Sequence, residues 1–252
     1  TSWDPSISLQ NATTCSAVSR TCVASSDSGG TGSPDLASWT NTTGASVDII
    51  VVVDSYQTDA ITATNPHAWT PTAYTADEIT LASDDNRMVT FPYTKRMCAN
   101  IQVDQAAAIV LCSYAAATAA GVPADLMVFP WSGAEANDHF FVSERWSLAD
   151  SPAIVAAVSG ALGAAGIGLD DVARFDLYSC FPSAVQLALR ATGLAGPASD
   201  TRPLTVTGGL GFAGGPGNAY VVRSIAAMVD ECRRDPGSLG LVTALGWYAT
   251  KH

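Results

Sequence analysis

Apolar residues follow two different rhythms along this chain, and the change falls near residue 60. In the first part they come as short β-branched runs. Residues 45–56 (ASVDIIVVVDSY) set five consecutive Ile and Val between Gly44-side polar residues and Asp54-Ser55, which predicts a buried strand. Residues 25–34 (SSDSGGTGSP) read as a loop, and residues 38–44 (SWTNTTG) lead into the strand. In the second part the apolar spacing becomes helical. Residues 115–121 predict a helix closed by Gly121-Val122-Pro123. Ser151-Pro152 opens a helix running to Gly166, with Ile154, Val155, Val158, Ala161 and Leu162 on one face. Helices are likewise predicted over 182–193 and 218–233, and strands over 126–129, 175–178, 204–207 and 241–248. Strand and helix alternate, so the second part predicts α/β layers.

Composition sharpens the division. Residues 1–64 carry 23 Ser and Thr, six Asp, no Glu and one base, Arg20, whereas the remainder is rich in Ala and Gly and holds the other 17 acids and 11 bases. The reading is a Ser/Thr-rich, β-sandwich-like segment at 1–62 and an α/β domain at 63–252. At 48% hydrophobic and 14% charged, the chain has the apolar residues to build a core, which excludes global disorder. No run of 18 apolar residues occurs, so a spanning helix is not expected. A net charge of −11, with Lys95 and Lys251 the only lysines, excludes nucleic acid as a partner.

The six cysteines form no CxxC pair and no Cys/His cluster at zinc spacing, so no metal site is expected. Cys15 and Cys22 are close enough for a local disulfide. Cys98, Cys112, Cys180 and Cys232 lie in apolar stretches and read as small buried thiols.

Two loops could carry chemistry. Residues 176–182 (DLYSCFP) end a strand in a polar, reactive cluster directly before a helix. Residues 207–218 (TGGLGFAGGPGN) place six glycines before the helix that starts near Asn218. In open α/β sheets ligands gather at the carboxyl ends of strands, and glycines before a helix offer N–H groups to an anion or oxyanion. Tight turns explain such glycines equally well. His67 and His139 read as loop histidines, His252 as a frayed residue, and Arg145 as a surface cation paired with Glu144 or Asp150.

In this order and spacing, the loops resemble the thiolase superfamily, of the sterol-carrier-protein type and of thiolase-like acetyl-CoA acetyltransferases. The resemblance runs over about residues 65–252. It is carried by Asn65-Pro66-His67-Ala68-Trp69, by residues 74–79 (YTADEI) and 92–108 (PYTKRMCANIQVDQAAA), and further on by residues 170–182, the Gly-Gly-Leu block at 208–210 and residues 240–243 (GLVT). Residues 1–62 are similar to the bacterial pre-peptidase C-terminal β-domain. That likeness rests on residues 3–9 (WDPSISL), the Cys15/Cys22 pair, Ser26-Asp27 and residues 39–56, and it implies an extracellular origin for this segment and a Cys15–Cys22 disulfide.

The thiolase resemblance implies a partial fold, the end of the N-terminal half plus most of the C-terminal half, in a cytoplasmic protein of lipid metabolism. It implies acyl-CoA or CoA as the ligand, with no other cofactor, and a homo-oligomer, such as a dimer, or a thiolase-type partner chain. The family's chemistry uses a nucleophilic Cys in the N-terminal half, an Asn or His before an acidic-aromatic loop, a Gly-His-Pro histidine and a second Cys as acid/base. Here Tyr178 stands where the Asn or His belongs, Gly215 where the histidine belongs, and Ala244-Leu245-Gly246 at the second cysteine's place. Three readings stay open. One is an acyl-CoA protein without ordinary thiolase catalysis, a pseudoenzyme that binds substrate through Phe181, Gly208, Gly209, Gly214, Gly215, Pro216 and Asn218. The others are a non-catalytic partner or structural subunit, and an acyltransferase or thioesterase using Cys180 with Tyr178.

Overall fold

The computed structural model describes residues 65–194 and 200–252 in full, together with the strands β1 (Ser6–Asn11), β2 (Cys22–Ser26) and β3 (Ile49–Asp54). The proposed Cys15–Cys22 disulfide lies outside the described side chains. The chain divides into two compact units, one of residues 1–59, 74–95 and 195–201, the other of residues 60–73, 96–194 and 202–252.

In the first unit, β1 is the central strand of an antiparallel sheet in the order β2-β1-β3. The β-branched run 49–53 forms most of β3, in register with β1 from Ser6↔Asp54 to Asn11↔Ile49. The same unit holds a short helix, α1 (Ala76–Thr80), and a small antiparallel pair, β4 (Met88–Thr90) and β5 (Tyr93–Thr94). Thr75 caps α1 in a reciprocal box with Glu78, so two N–H groups at the helix start are satisfied. Asn86, fully buried, donates its amide to the carbonyls of Glu78, Ile79 and Leu81, and Thr94 hydroxyl also reaches Ile79 O. These bonds close the C-terminal end of α1, where helical carbonyls lack partners.

The second unit is built on two parallel strands, β6 (Val172–Asp176) and β7 (Leu239–Val242), with helices α3 (Pro152–Ala165), α4 (Pro182–Thr192) and α5 (Ala219–Arg234); a short helix, α2 (Tyr114–Ala119), precedes them. The helices start and stop where local chemistry dictates. Ser151 Oγ accepts the Ile154 N–H at 3.2 Å, Pro152 occupies the first turn, and Gly166 ends α3 in the left-handed region at φ 70°. Ser113 caps α2 in the same way, and Gly193 closes α4 at φ 73°.

The face that α3 buries is Ala153, Ile154, Ala157 and Val158, whereas Val155 is exposed, because a helical stripe follows i, i+3, i+4 and Val155 falls one step off it. Val172, Phe175 and Leu177 form one core with Ala188 and Leu194, against which Leu162, Leu189 and Leu241 pack. On α5, Tyr220, Ser224, Ala227 and Met228 are buried at i, i+4, i+7 and i+8, and α5 packs on β7.

Three predicted strands take other forms. Residues 124–126 make a 3₁₀ turn and 127–129 are extended without a strand partner among the described residues. At 203–204 the chain accepts two bonds, from Phe175 N–H in β6 to Pro203 O and from Leu177 N–H just beyond it to Leu204 O, and then turns, because the next residues bond a side chain instead. The last strand ends at Val242, and Trp247–Ala249 form a 3₁₀ turn. Nor are the four cysteines uniformly buried: Cys112 is exposed and Cys98, Cys180 and Cys232 are half-buried. No helix among the described residues is long and apolar enough to cross a membrane.

Candidate functional site

Strand β6 ends on Asp176, whose carboxylate is fully buried. Oδ2 accepts from the Val206 N–H at 3.0 Å, the Thr207 N–H at 3.2 Å and the hydroxyls of Thr205 and Thr207 at 2.9 and 3.0 Å; Oδ1 accepts from Tyr220 Oη at 3.0 Å and from Ser224 Oγ. Six donors on one carboxylate offset its desolvation. The effect is to tie β6, residues 205–207 and α5 into one polar node. Burial, and then the Asp176 charge, pushes the Tyr220 phenol well above its ordinary value, so it stays a neutral donor.

The two loops singled out by sequence meet above this node. Leu210 N–H donates to Ser179 Oγ at 3.1 Å, while Ala99 N–H donates to Cys180 O and Asn100 N–H to Leu210 O, both at 3.0 Å. The N–H groups of the first glycines are occupied: Gly208 donates to Thr205 Oγ1, Gly209 to Thr207 Oγ1 and Gly215 to Asn100 O. Gly208, Gly209, Gly214 and Gly215 are all buried. Their lack of a Cβ has a packing use. A Cβ on Gly214, at φ 90°, would lie 2.9 Å from Gln105 Nε2, and one on Gly215 would lie 3.2 Å from the Ala99 Cβ, so residues 99–105 close down on the loop. Arg223 secures this layer by donating to Gln105 Oε1 at 3.0 Å and to the carbonyls of Ala213 and His67.

Cys180 and Tyr178 pack against Leu210, Ala213 and Tyr220, and the Tyr178 and Tyr220 rings meet edge-on at 5.4 Å. Burial raises the Cys180 thiol above its ordinary value, so it is protonated at neutral pH; burial likewise raises the Tyr178 phenol, with Cys180 adding to the shift. Phe181 stands at the entrance to α4, partly exposed, and Pro216 is half-buried.

Beyond the glycines, Gly217 and Asn218 open to solvent. They line a cavity of about 270 Å³ with Tyr178, Val221, Ala244, Leu245, Gly246, Lys251 and His252. Lys251 and His252 reach it through a long-range pairing. Asn137 bridges Lys251, Ala136 and His252 exchange two backbone bonds at 3.0 Å, and Gly246 N–H donates to Lys251 O at 2.9 Å. His252 is thus held and half-buried, not frayed. Its Nε2 lies 3.2 Å from Ala249 O and 3.4 Å from Ser151 Oγ, whose hydroxyl donates to Asp138 Oδ2 at 3.4 Å. Burial lowers the His252 value, with Asp138 opposing. No periodicity in the sequence marks Lys251 and His252; only a pairing across more than a hundred residues brings them in.

The other candidates take structural positions. The His67 N–H donates a turn bond to Asn65 Oδ1 at 2.8 Å, and its Nε2 lies 3.5 Å from Glu231. Arg145 donates to the carbonyls of His139 and Ala249 rather than pairing with Glu144 or Asp150, because Asp150 is held by Arg190 and Ser147. No group of His, Cys, Asp and Glu among the described residues could hold a metal ion.

No family model and no curated protein matches the chain. Solved structures do. A monomeric SCP2-thiolase like protein type 1 from Mycobacterium smegmatis superposes with a TM-score of 0.66 at 41% identity, over 76% of this chain and 41% of that one. The chain carries a partial thiolase-like fold. A human mitochondrial 3-ketoacyl-CoA thiolase also matches, at 18% identity and a TM-score of 0.45, over 83% of this chain and 45% of that one. The thiolase-like chain therefore spans less than half the length of these relatives.

Proposed function

We propose that this thiolase-like chain binds CoA or an acyl-CoA thioester and does not carry out ordinary thiolase condensation. The observation that carries the reading is the convergence of both loops on one cavity, in a chain 41% identical to an SCP2-thiolase-like protein. Tyr178 and Ala244–Gly246 stand on that cavity's wall, at the places where the family resemblance expects an Asn or His and a cysteine. An alanine, leucine or glycine in the second cysteine's place has no side-chain proton to shuttle. Isothermal calorimetry with CoA and acetyl-CoA tests the reading: a saturable heat supports it, and no heat at millimolar CoA sinks it.

A second reading, as the partner of a thiolase-type chain or of a second copy, is favoured by one observation. The second unit has an apolar trough of about 1250 Å³ lined by residues 108–112, 126–134 and parts of α3, α5 and β7, and Val110, Leu111 and Trp131 stand exposed beside it. Faces of this kind are usually covered. Light scattering at micromolar concentration decides: a monomer speaks against self-association, and co-purification with a second thiolase-type chain supports the partner reading.

A further inference from the structure

We propose that the cavity of Tyr178, Asn218, Lys251 and His252 hydrolyses a short-chain acyl thioester, with His252 as general base toward water. The proposal rests on the CoA-binding reading and adds a reaction and a residue to it.

The argument starts from the imidazole. A carbonyl oxygen only accepts hydrogen bonds, so the 3.2 Å contact with Ala249 O places the His252 proton on Nε2. Nδ1 then carries the lone pair, and it belongs to a side chain that lines the cavity. Burial keeps the ring neutral at pH 7, the form a base requires. When the ring takes a proton, Asp138 supports the resulting charge from beyond Ser151. The charged groups that act on His252 are Asp138 and Arg145, Lys251 lines the same cavity, and the Tyr178 phenol is neutral.

Ser151 is not the nucleophile. It is 4% exposed, and its hydroxyl caps α3. Cys180 is not among the residues that line this cavity, and its thiol is protonated at neutral pH, so the attacking group assigned here is water. At about 30 Å³ per water, a cavity of about 270 Å³ has room for roughly nine water volumes, enough for a thioester carbonyl, a short acyl group and one water.

The step balances without a further reactant. Water oxygen bonds to the thioester carbonyl carbon as His252 Nδ1 takes its proton, with the Lys251 charge and the donors of Asn218 and Tyr178 on the wall where the oxyanion forms. The tetrahedral centre then breaks its C–S bond. The thiolate leaves and takes the proton back from His252, giving free carboxylic acid and CoA thiol.

The test is acetyl-CoA hydrolysis followed by chromatographic measurement of released CoA and acetate, on the wild-type chain, His252→Asn and His252→Gln. Wild type is expected to release both products above the buffer rate, rising with pH through a midpoint below the ordinary histidine value. Both variants are expected to lose about 100-fold in kcat, the usual weight of a general base, with a flat pH profile, while a saturable heat of CoA binding shows that the ligand still reaches the cavity. Circular dichroism shows that each variant is folded, and Gln retains a donor for Ala249 O if Asn does not. Folded variants that hydrolyse at the wild-type rate overturn the proposal. So does a wild-type chain that binds CoA and releases no acetate, whereas a chain that fails to bind CoA removes the reading beneath it.

Discussion

Two polar regions sit a few residues apart on the same loops and are built on opposite terms. Around Asp176 one carboxylate oxygen is filled by donors from residues 205–207 and the other by donors from α5, and the carboxylate itself is shut off from water. Around Tyr178, Asn218, Lys251 and His252 the polar groups line an open cavity instead. The first arrangement holds the fold and the second can hold a ligand. The difference teaches that the most reactive-looking stretch of the sequence, Asp176 and the glycines after Thr207, is largely occupied in fixing the loops. The room for chemistry lies one step outward, where α5 begins.

Breaking the closed region should cost most. Asp176→Ala removes the acceptor shared by six donors, and each buried donor left unpaired costs about 1–3 kcal/mol. With relaxation, a total loss of about 4 kcal/mol or more is expected, enough to unfold many domains. Urea denaturation checks it; a loss below 1 kcal/mol would mean that the node is not what holds β6 to α5. Gly214→Ala comes next. The new Cβ meets Gln105 at 2.9 Å and Val103 at 3.1 Å, at a φ that L residues avoid, so a loss of about 1–3 kcal/mol is expected. The control has the opposite sign. Gly163 lies in α3 with nothing within 4 Å of its Cβ position, and Gly163→Ala should stabilise by about 0.5–1 kcal/mol in the same assay.

These glycines show how far the sequence could be read. Helices α3, α4 and α5 were legible almost to the residue, because caps and stops are local: Ser151-Pro152 and Gly166, Pro182 and Gly193. Strands over 126–129 and 204–207 were misread, since a β-like run needs a partner. At 205–207 the donors bond a side chain, Asp176, that no propensity weighs. In the candidate site, Tyr178 and Asn218 could be picked out by their place after a strand and before a helix. His252 could not. Its position depends on the bridge between Asn137 and Lys251, a contact with no local signature.

The smallest effect is the most specific to the open region. His252 has a folded-state value below its ordinary one, so the unfolded chain binds its proton more readily than the folded chain does. Stability from this residue is therefore fully present above the ordinary histidine value. It is lost as pH falls from there through the lowered folded value, and it levels off below. Thermal midpoints should fall between pH 7 and pH 5 in the wild-type chain, and His252→Asn should remove part of that fall while leaving the acid loss due to carboxylates at lower pH. If His252→Asn left the slope between pH 7 and pH 5 as it is, the half-buried imidazole would not be the group that distinguishes the open cavity from the closed node. If His252→Asn flattens it, the same neutral ring that weakens the fold in acid is the one available to accept a proton from water.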